Sequence, residues 1–110
     1  MNIQIFGTRK CQETRKAERY FKERAIPFQF VNLAEKALSK GELNSIKAAV
    51  GVEAMVDKEG KQYQKRNLKY LVHNIEAELL NDPLLLKTPI VRNGSKATIG
   101  YQPEVWQQWQ

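Results

Sequence analysis

Cys11 is the only cysteine in the chain, and it sits in Gly7-Thr8-Arg9-Lys10-Cys11-Gln12-Glu13-Thr14-Arg15-Lys16. No second cysteine follows, so no internal disulfide can form, and the chemistry on offer is that of a single thiol. A thiolate here would attack a disulfide, for example one with glutathione, and a second, external thiol would resolve the intermediate. Arg9, Lys10, Arg15 and Lys16 favour the thiolate and Glu13 opposes it. The balance predicts a Cys11 pKa below the free-thiol value of about 8.5. Arg15, at i+4, is expected one turn below the sulfur on the same helix face. Thr14 can support the thiolate through its hydroxyl or fill the first helical turn. A free cysteine is often an inert core residue, but such a residue belongs to an apolar period. Arg9, Lys10, Gln12 and Glu13 give Cys11 no apolar neighbour on either side, which favours an active thiol.

The elements that must hold this thiol follow from periodicity. Residues 2–6 alternate polar and apolar up to Gly7, the pattern of a half-buried strand. From 12 to 25, Ala17, Tyr20, Phe21 and Ala25 recur at helical spacing. Pro27 ends that helix and 28–32 alternate again, giving a strand, helix, strand unit with two parallel strands. Ser39 and Glu42 have capping-box spacing before a helix that stops at Gly51. Residues 52–64 show no clear period, and Asp57 to Lys61 reads as a solvated turn. Leu68, Leu71, Val72, Ile75 and Leu79 predict one third helix ending near Asp82-Pro83. Residues 89–92 and 96–99 flank Asn93-Gly94, a strong hairpin signal, and Pro103 opens a terminal helix with Trp106 and Trp109 at packing positions. A parallel pair plus an antiparallel pair, with helices on the faces, is an α/β sheet of the thioredoxin kind. Cys11 then lies where the first strand meets a helix N-terminus.

The chain of 110 residues suits one domain, 1–110, with a helical insertion at about 39–81. A lone cysteine and the lack of a secretory pattern predict a reducing cytoplasm, and no apolar run approaches membrane-spanning length. The net charge of +6 is scattered, which argues against direct nucleic-acid binding and points to anionic small molecules or an acidic protein surface. A monomer is expected. His73, the only histidine, has no ligand cluster at metal spacing and is read as structural, so no metal is assigned.

Gly7, Cys11 and Arg15, as Gly-x-x-x-Cys-x-x-x-Arg at the first strand-to-helix turn, resemble the arsenate reductase (ArsC) and Spx family of thioredoxin-fold proteins, with its glutaredoxin-like relatives. "RKAERYFKERAIPFQFVNL", "NDPLLLKTPIVRNG" and "IGYQPEVW" are similar to that family's first helix and second strand, its proline turn and hairpin, and its last strand and helix. The resemblance implies a glutaredoxin-type fold and a thiol-dependent reductase with Cys11 as nucleophile and Arg15 as its basic neighbour. It also implies Pro89, after Thr88, as the proline that is usually cis and faces the thiol. The backbone beside Thr88 would pair with glutathione or an extended peptide, and Arg15 or Arg92 would hold a carboxylate. No bound cofactor is implied, only glutathione or another external thiol as co-substrate. The partner would be glutathione, a small-molecule disulfide or a protein disulfide. Family members that reduce arsenate hold the oxyanion with three further arginines, and those positions fall at or near Asp57, Thr88 and Gln102. Spx regulators pair two cysteines as Cys-x-x-Cys, where this chain has Thr14. The alternative implied is therefore a non-catalytic, Spx-like module that binds a protein partner.

Overall fold

A computed structural model describes residues 1–68 and 74–110. Its strands are β1 (Ile3–Gly7), β2 (Phe28–Asn32), β3 (Ile90–Asn93) and β4 (Lys96–Ile99). Its helices are α1 (Gln12–Glu23), α2 (Lys40–Val50), α3 (Val52–Met55), α4 (Lys61–Lys65), α5 (Ile75–Asn81) and α6 (Pro103–Gln108). A 3-10 turn, Pro83–Leu85, follows α5. The sheet order is β2-β1-β3-β4, with β1 parallel to β2 and antiparallel to β3, and β3 antiparallel to β4. This is the mixed thioredoxin-like sheet, with a helical insertion between β2 and β3. Among the described residues no helix is long and apolar enough to cross a membrane.

Alternation along β1 sends its side chains to two cores. Ile3 and Ile5 pack with Ala17, Tyr20, Phe21 and Trp106, joining α1 and α6 to one face. Phe6 packs with Leu43, Ile46, Met55, Leu79 and Ile90, joining the insertion to the other. Tyr20 is buried with its hydroxyl unpartnered, while the Arg24 guanidinium lies 3.7 Å from its ring centroid. Tyr20→Phe is therefore expected to leave stability unchanged or raise it by about 1 kcal/mol, since it removes an unsatisfied group and keeps the ring. A urea denaturation midpoint below that of the parent chain would contradict this.

Three expectations are corrected. The apolar period from Leu68 to Leu79 is not one helix: Asn74 has extended backbone angles and caps α5 by accepting from the Ala77 N–H, so α5 starts at Ile75. Leu71, Val72 and His73 lie outside the described residues. The stretch without clear period, 52–64, holds the short helices α3 and α4. At the hairpin, Asn93 pairs with Lys96, so the two loop residues are Gly94 and Ser95, one step later than Asn93-Gly94. Gly94 has φ 61°, a conformation that costs glycine little. The Ser39–Glu42 capping box is formed as the spacing predicts.

Candidate functional site around Cys11

β1 ends at Gly7, the chain turns through Thr8 to Lys10, and α1 begins with Cys11 as its N-cap. The turn is closed by the Cys11 N–H donating to the Thr8 carbonyl at 3.1 Å. The thiol is partly exposed. It does not cap the helix as a neutral group, since its side chain makes no hydrogen bond to the first turn. The Glu13 and Thr14 N–H groups, second and third in the helix, are the donors that an N-cap side chain ordinarily satisfies.

Thr88 reaches the sulfur from the far side of the chain. Its hydroxyl donates to Cys11 Sγ at 3.1 Å, and its carbonyl oxygen lies 3.9 Å from the same sulfur. The pairing of Ile90 with Phe6 brings the residues just before β3 beside the end of β1. Three further contacts fix that approach. The Lys87 N–H donates to the Met55 carbonyl, Val56 bridges to Leu86, and the Gly100 N–H donates to the Pro89 carbonyl. The insertion and β4 thus clamp Thr88 and Pro89 from both sides. The Thr88–Pro89 peptide bond is cis.

Burial is the largest influence on the Cys11 thiol and pushes its pKa up. The Thr14 and Thr88 hydroxyls and the Thr14 and Glu13 N–H groups act the other way and together outweigh it, so the pKa lies below the ordinary thiol value. Thr88 acts through a formed hydrogen bond. Thr14 Oγ1 is buried without a partner at hydrogen-bond distance, so it acts as a nearby dipole that a thiolate would attract. Ionisation of Cys11 would satisfy that hydroxyl and the open helix cap together. Thr88→Val, which keeps shape and removes the donor, is expected to raise the midpoint of Cys11 alkylation by about one pH unit, the size of one charge-assisted hydrogen bond. An unchanged midpoint would assign the depression to Thr14 and the helix N-terminus.

The cations do not fill the role expected of them. No cation is among the groups that shift the Cys11 thiol. Arg15 is exposed and lines a shallow hollow with Arg9, Glu18, Arg19 and Lys22. The i+4 rule relates neighbours on a helix flank, whereas an N-cap side chain projects from the helix end. Arg92 is not brought to the thiol either. It pairs with Gln4, toward the start of β1, where Nε donates to the Gly94 carbonyl and one terminal nitrogen to Gln4 Oε1, both at 3.1 Å. It ties the hairpin to β1. Of the residues singled out in the sequence, Cys11, Thr14, Thr88 and Pro89 converge, while Arg15 and Arg92 stand apart. Among the described residues no three histidine, cysteine or carboxylate side chains are grouped to hold a metal.

Gly7 gains a reason that its place in the motif does not reveal. A Cβ there would lie 2.4 Å from Thr14 Oγ1 and 2.6 Å from Thr14 Cγ2. The strand end and the first turn of α1 are in contact only because Gly7 has no side chain. Gly7→Ala is expected to displace the turn that carries Cys11 and to cost about 1–3 kcal/mol, as overpacking does. Urea denaturation checks the cost, and wild-type stability would show that the first turn moves freely.

Comparison with known proteins agrees with this architecture. The chain is 28% identical to the uncharacterized protein YusI of Bacillus subtilis strain 168, over 98% of both chains. It is also 28% identical to the global transcriptional regulator Spx 2 of Oceanobacillus iheyensis, covering 94% of this chain and 80% of that one. The arsenate reductase structure from Vibrio cholerae superposes with a TM-score of 0.81 at 24% identity, covering 98% and 97% of the two chains. The model of the ArsC family matches residues 6–109, and the chain therefore belongs to the ArsC family.

Proposed function

We propose that this protein is a monothiol oxidoreductase in which the Cys11 thiolate exchanges with a disulfide. The observation that supports it most is the convergence on one partly exposed sulfur of the Thr88 hydroxyl, the Thr14 dipole and the open cap of α1. In the first step Cys11 Sγ⁻ attacks one sulfur of R–S–S–R′, forming Cys11–S–S–R and releasing R′–S⁻. In the second an external thiolate attacks the mixed disulfide at the R sulfur and returns Cys11 as thiolate, so electrons balance without a second protein cysteine. Glutathione suits the external thiol, and a glutathione or protein mixed disulfide suits the substrate. The Thr88 backbone is the edge along which its extended chain would lie, since the Pro89 carbonyl and the Lys87 N–H are already engaged. A reducing cytoplasm, rich in such thiols, is the matching compartment, and the chain would work as a monomer with no resident cofactor.

Arsenate is not proposed as the substrate. An oxyanion needs several convergent cationic donors, and by the family resemblance the positions of the arginines fall at or near Asp57, Thr88 and Gln102. The Gln102 amide already donates to the Ile99 carbonyl at 2.8 Å. The likeness to Spx supports a second reading, a binding module that uses no thiol chemistry.

Incubation with glutathione disulfide tests the proposal. One glutathione per chain should attach at Cys11 within minutes near neutral pH, be visible by mass spectrometry, and leave on addition of free glutathione. A folded chain that forms no adduct, while the unfolded chain does, would reject the exchange reading in favour of the binding module.

A further inference from the structure

The outer face of α1 carries far more positive charge than folding requires. Between Arg9 and Arg24 there are seven cations and three glutamates, a surplus of four within a chain of net charge +6. All seven cations are exposed. Glu18 stands four residues before Lys22, the order that pairs most readily on a helix. Yet among the described residues every ion pair within 4.0 Å lies elsewhere, at Lys47–Glu76, Lys58–Glu53, Arg66–Glu78 and Arg66–Asp82. The α1 cations are held out toward solvent, and several rest on aromatic rings. The Arg9 guanidinium is 4.6 Å from the Phe30 centroid, and Lys16 Nζ is 6.0 Å from that of Tyr101.

The surface beneath them is a row of three adjacent hollows, a broken groove. A hollow beside β2 has Arg9 in its wall, and Arg9 also lines the hollow that contains Arg15 and Lys22. Arg19 is shared between that hollow and a third one reaching Tyr101. α1 has 12 residues, so the groove beside it runs about 18 Å, enough for five or six residues of extended chain. Arg9, which lines two of the hollows, stands two residues before Cys11 in the chain.

We propose that this groove docks an acidic segment of a partner protein. Charge complementarity selects the occupant. Glu13, Glu18 and Glu23 interrupt the cations at intervals, and a peptide can place neutral or basic residues opposite them, whereas a phosphate backbone carries a negative charge at every unit. The inference stands apart from the chemistry of Cys11, because an exchange enzyme and a binding module could both use the groove.

Fluorescence anisotropy with a labelled peptide of roughly twelve residues, alternating Glu and Ser, tests it at about 50 mM NaCl, where exposed charges are weakly screened. The triple change Arg15→Glu, Arg19→Glu and Lys22→Glu is expected to weaken binding by at least about tenfold. Lys61→Glu, Lys65→Glu and Lys96→Glu together, with the same change in net charge on other surfaces, should cost less than about twofold. Should the α1 reversal unfold the chain, the triple exchange of the same three residues for Gln, which removes only the attraction, should still weaken binding by more than about threefold. Equal losses in both triples, the absence of saturable peptide binding, or tighter binding of a single-stranded oligonucleotide of equal charge would each overturn the proposal.

Discussion

Cys11→Ser is expected to abolish thiol–disulfide exchange completely, with no residual turnover of a glutathione mixed disulfide above the uncatalysed rate. The reason is chemical. Thr88, the Thr14 dipole and the α1 N–H groups lower the ionisation cost of a thiol, a far stronger acid than an alcohol. The same donors acting on an alcohol leave it protonated and a poor nucleophile toward sulfur. Ser fits the position otherwise, because it is a strong N-cap residue whose hydroxyl can accept from Glu13 or Thr14 N–H. The variant should therefore be as stable as the parent or more so, which separates loss of chemistry from loss of fold. Turnover measured with glutathione as reductant, beside a urea denaturation curve, checks both halves. Residual activity above about a hundredth of the parent rate would mean that the nucleophile is not Cys11.

Trp106→Ala should have the largest effect on stability. Trp106 is fully buried, its ring centroid is 5.2 Å from those of both Tyr20 and Phe21, and it joins α6 to α1 across the end of the sheet. Its indole N–H donates to Thr98 Oγ1 at 2.8 Å, and Thr98 is itself buried. Truncation removes the largest side chain of that core and leaves a hydroxyl without its donor. A loss of about 4–5 kcal/mol follows, comparable with the whole stability of a small domain. The variant should lose its cooperative urea transition, and a midpoint close to the parent's would show that α6 is not integral to the fold. Trp106→Phe keeps most of the packing and should lose about half as much.

The parts of this molecule that were legible in the sequence are those whose signal is local. β1, α1, β2 and α6 announce themselves because each buries one face and its apolar residues repeat at the period of that element. α2 was readable from the Ser39–Glu42 capping box, its apolar face and its stop at Gly51. Leu68 to Leu79 misled because buried Leu68 and Leu79 fall in one helical period although Asn74 between them is extended. Asn74, a strong N-cap residue, was the available sign of the break. At the site, the contact between Cys11 and Thr88 joins residues 77 apart, and no spacing rule can foresee it. Family resemblance implied only that the next residue, Pro89, faces the thiol, and the Thr88 hydroxyl bond is a finding of the structure. The same resemblance suggested Arg15 and Arg92 as site residues, and local geometry sends the first along the flank of α1 and the second into the hairpin. The Gly7–Thr14 contact was hidden for another reason: a glycine that permits close approach looks the same in sequence as one that permits a turn.

A depressed Cys11 pKa also links the site to stability. Between the folded value and the ordinary value of about 8.5 the native chain binds fewer protons than the unfolded one, so stability should rise with pH across that window and lose the contribution below it. The most direct test is the rate of Cys11 alkylation by iodoacetamide as a function of pH, in the folded chain and in the chain unfolded by urea. A folded midpoint clearly below the unfolded one is the expected result, and it would establish that the hydroxyls and the helix N-terminus hold Cys11 as a nucleophile. A folded midpoint equal to or above the unfolded one would contradict the account, leaving Cys11 a packed thiol and the protein a binding module.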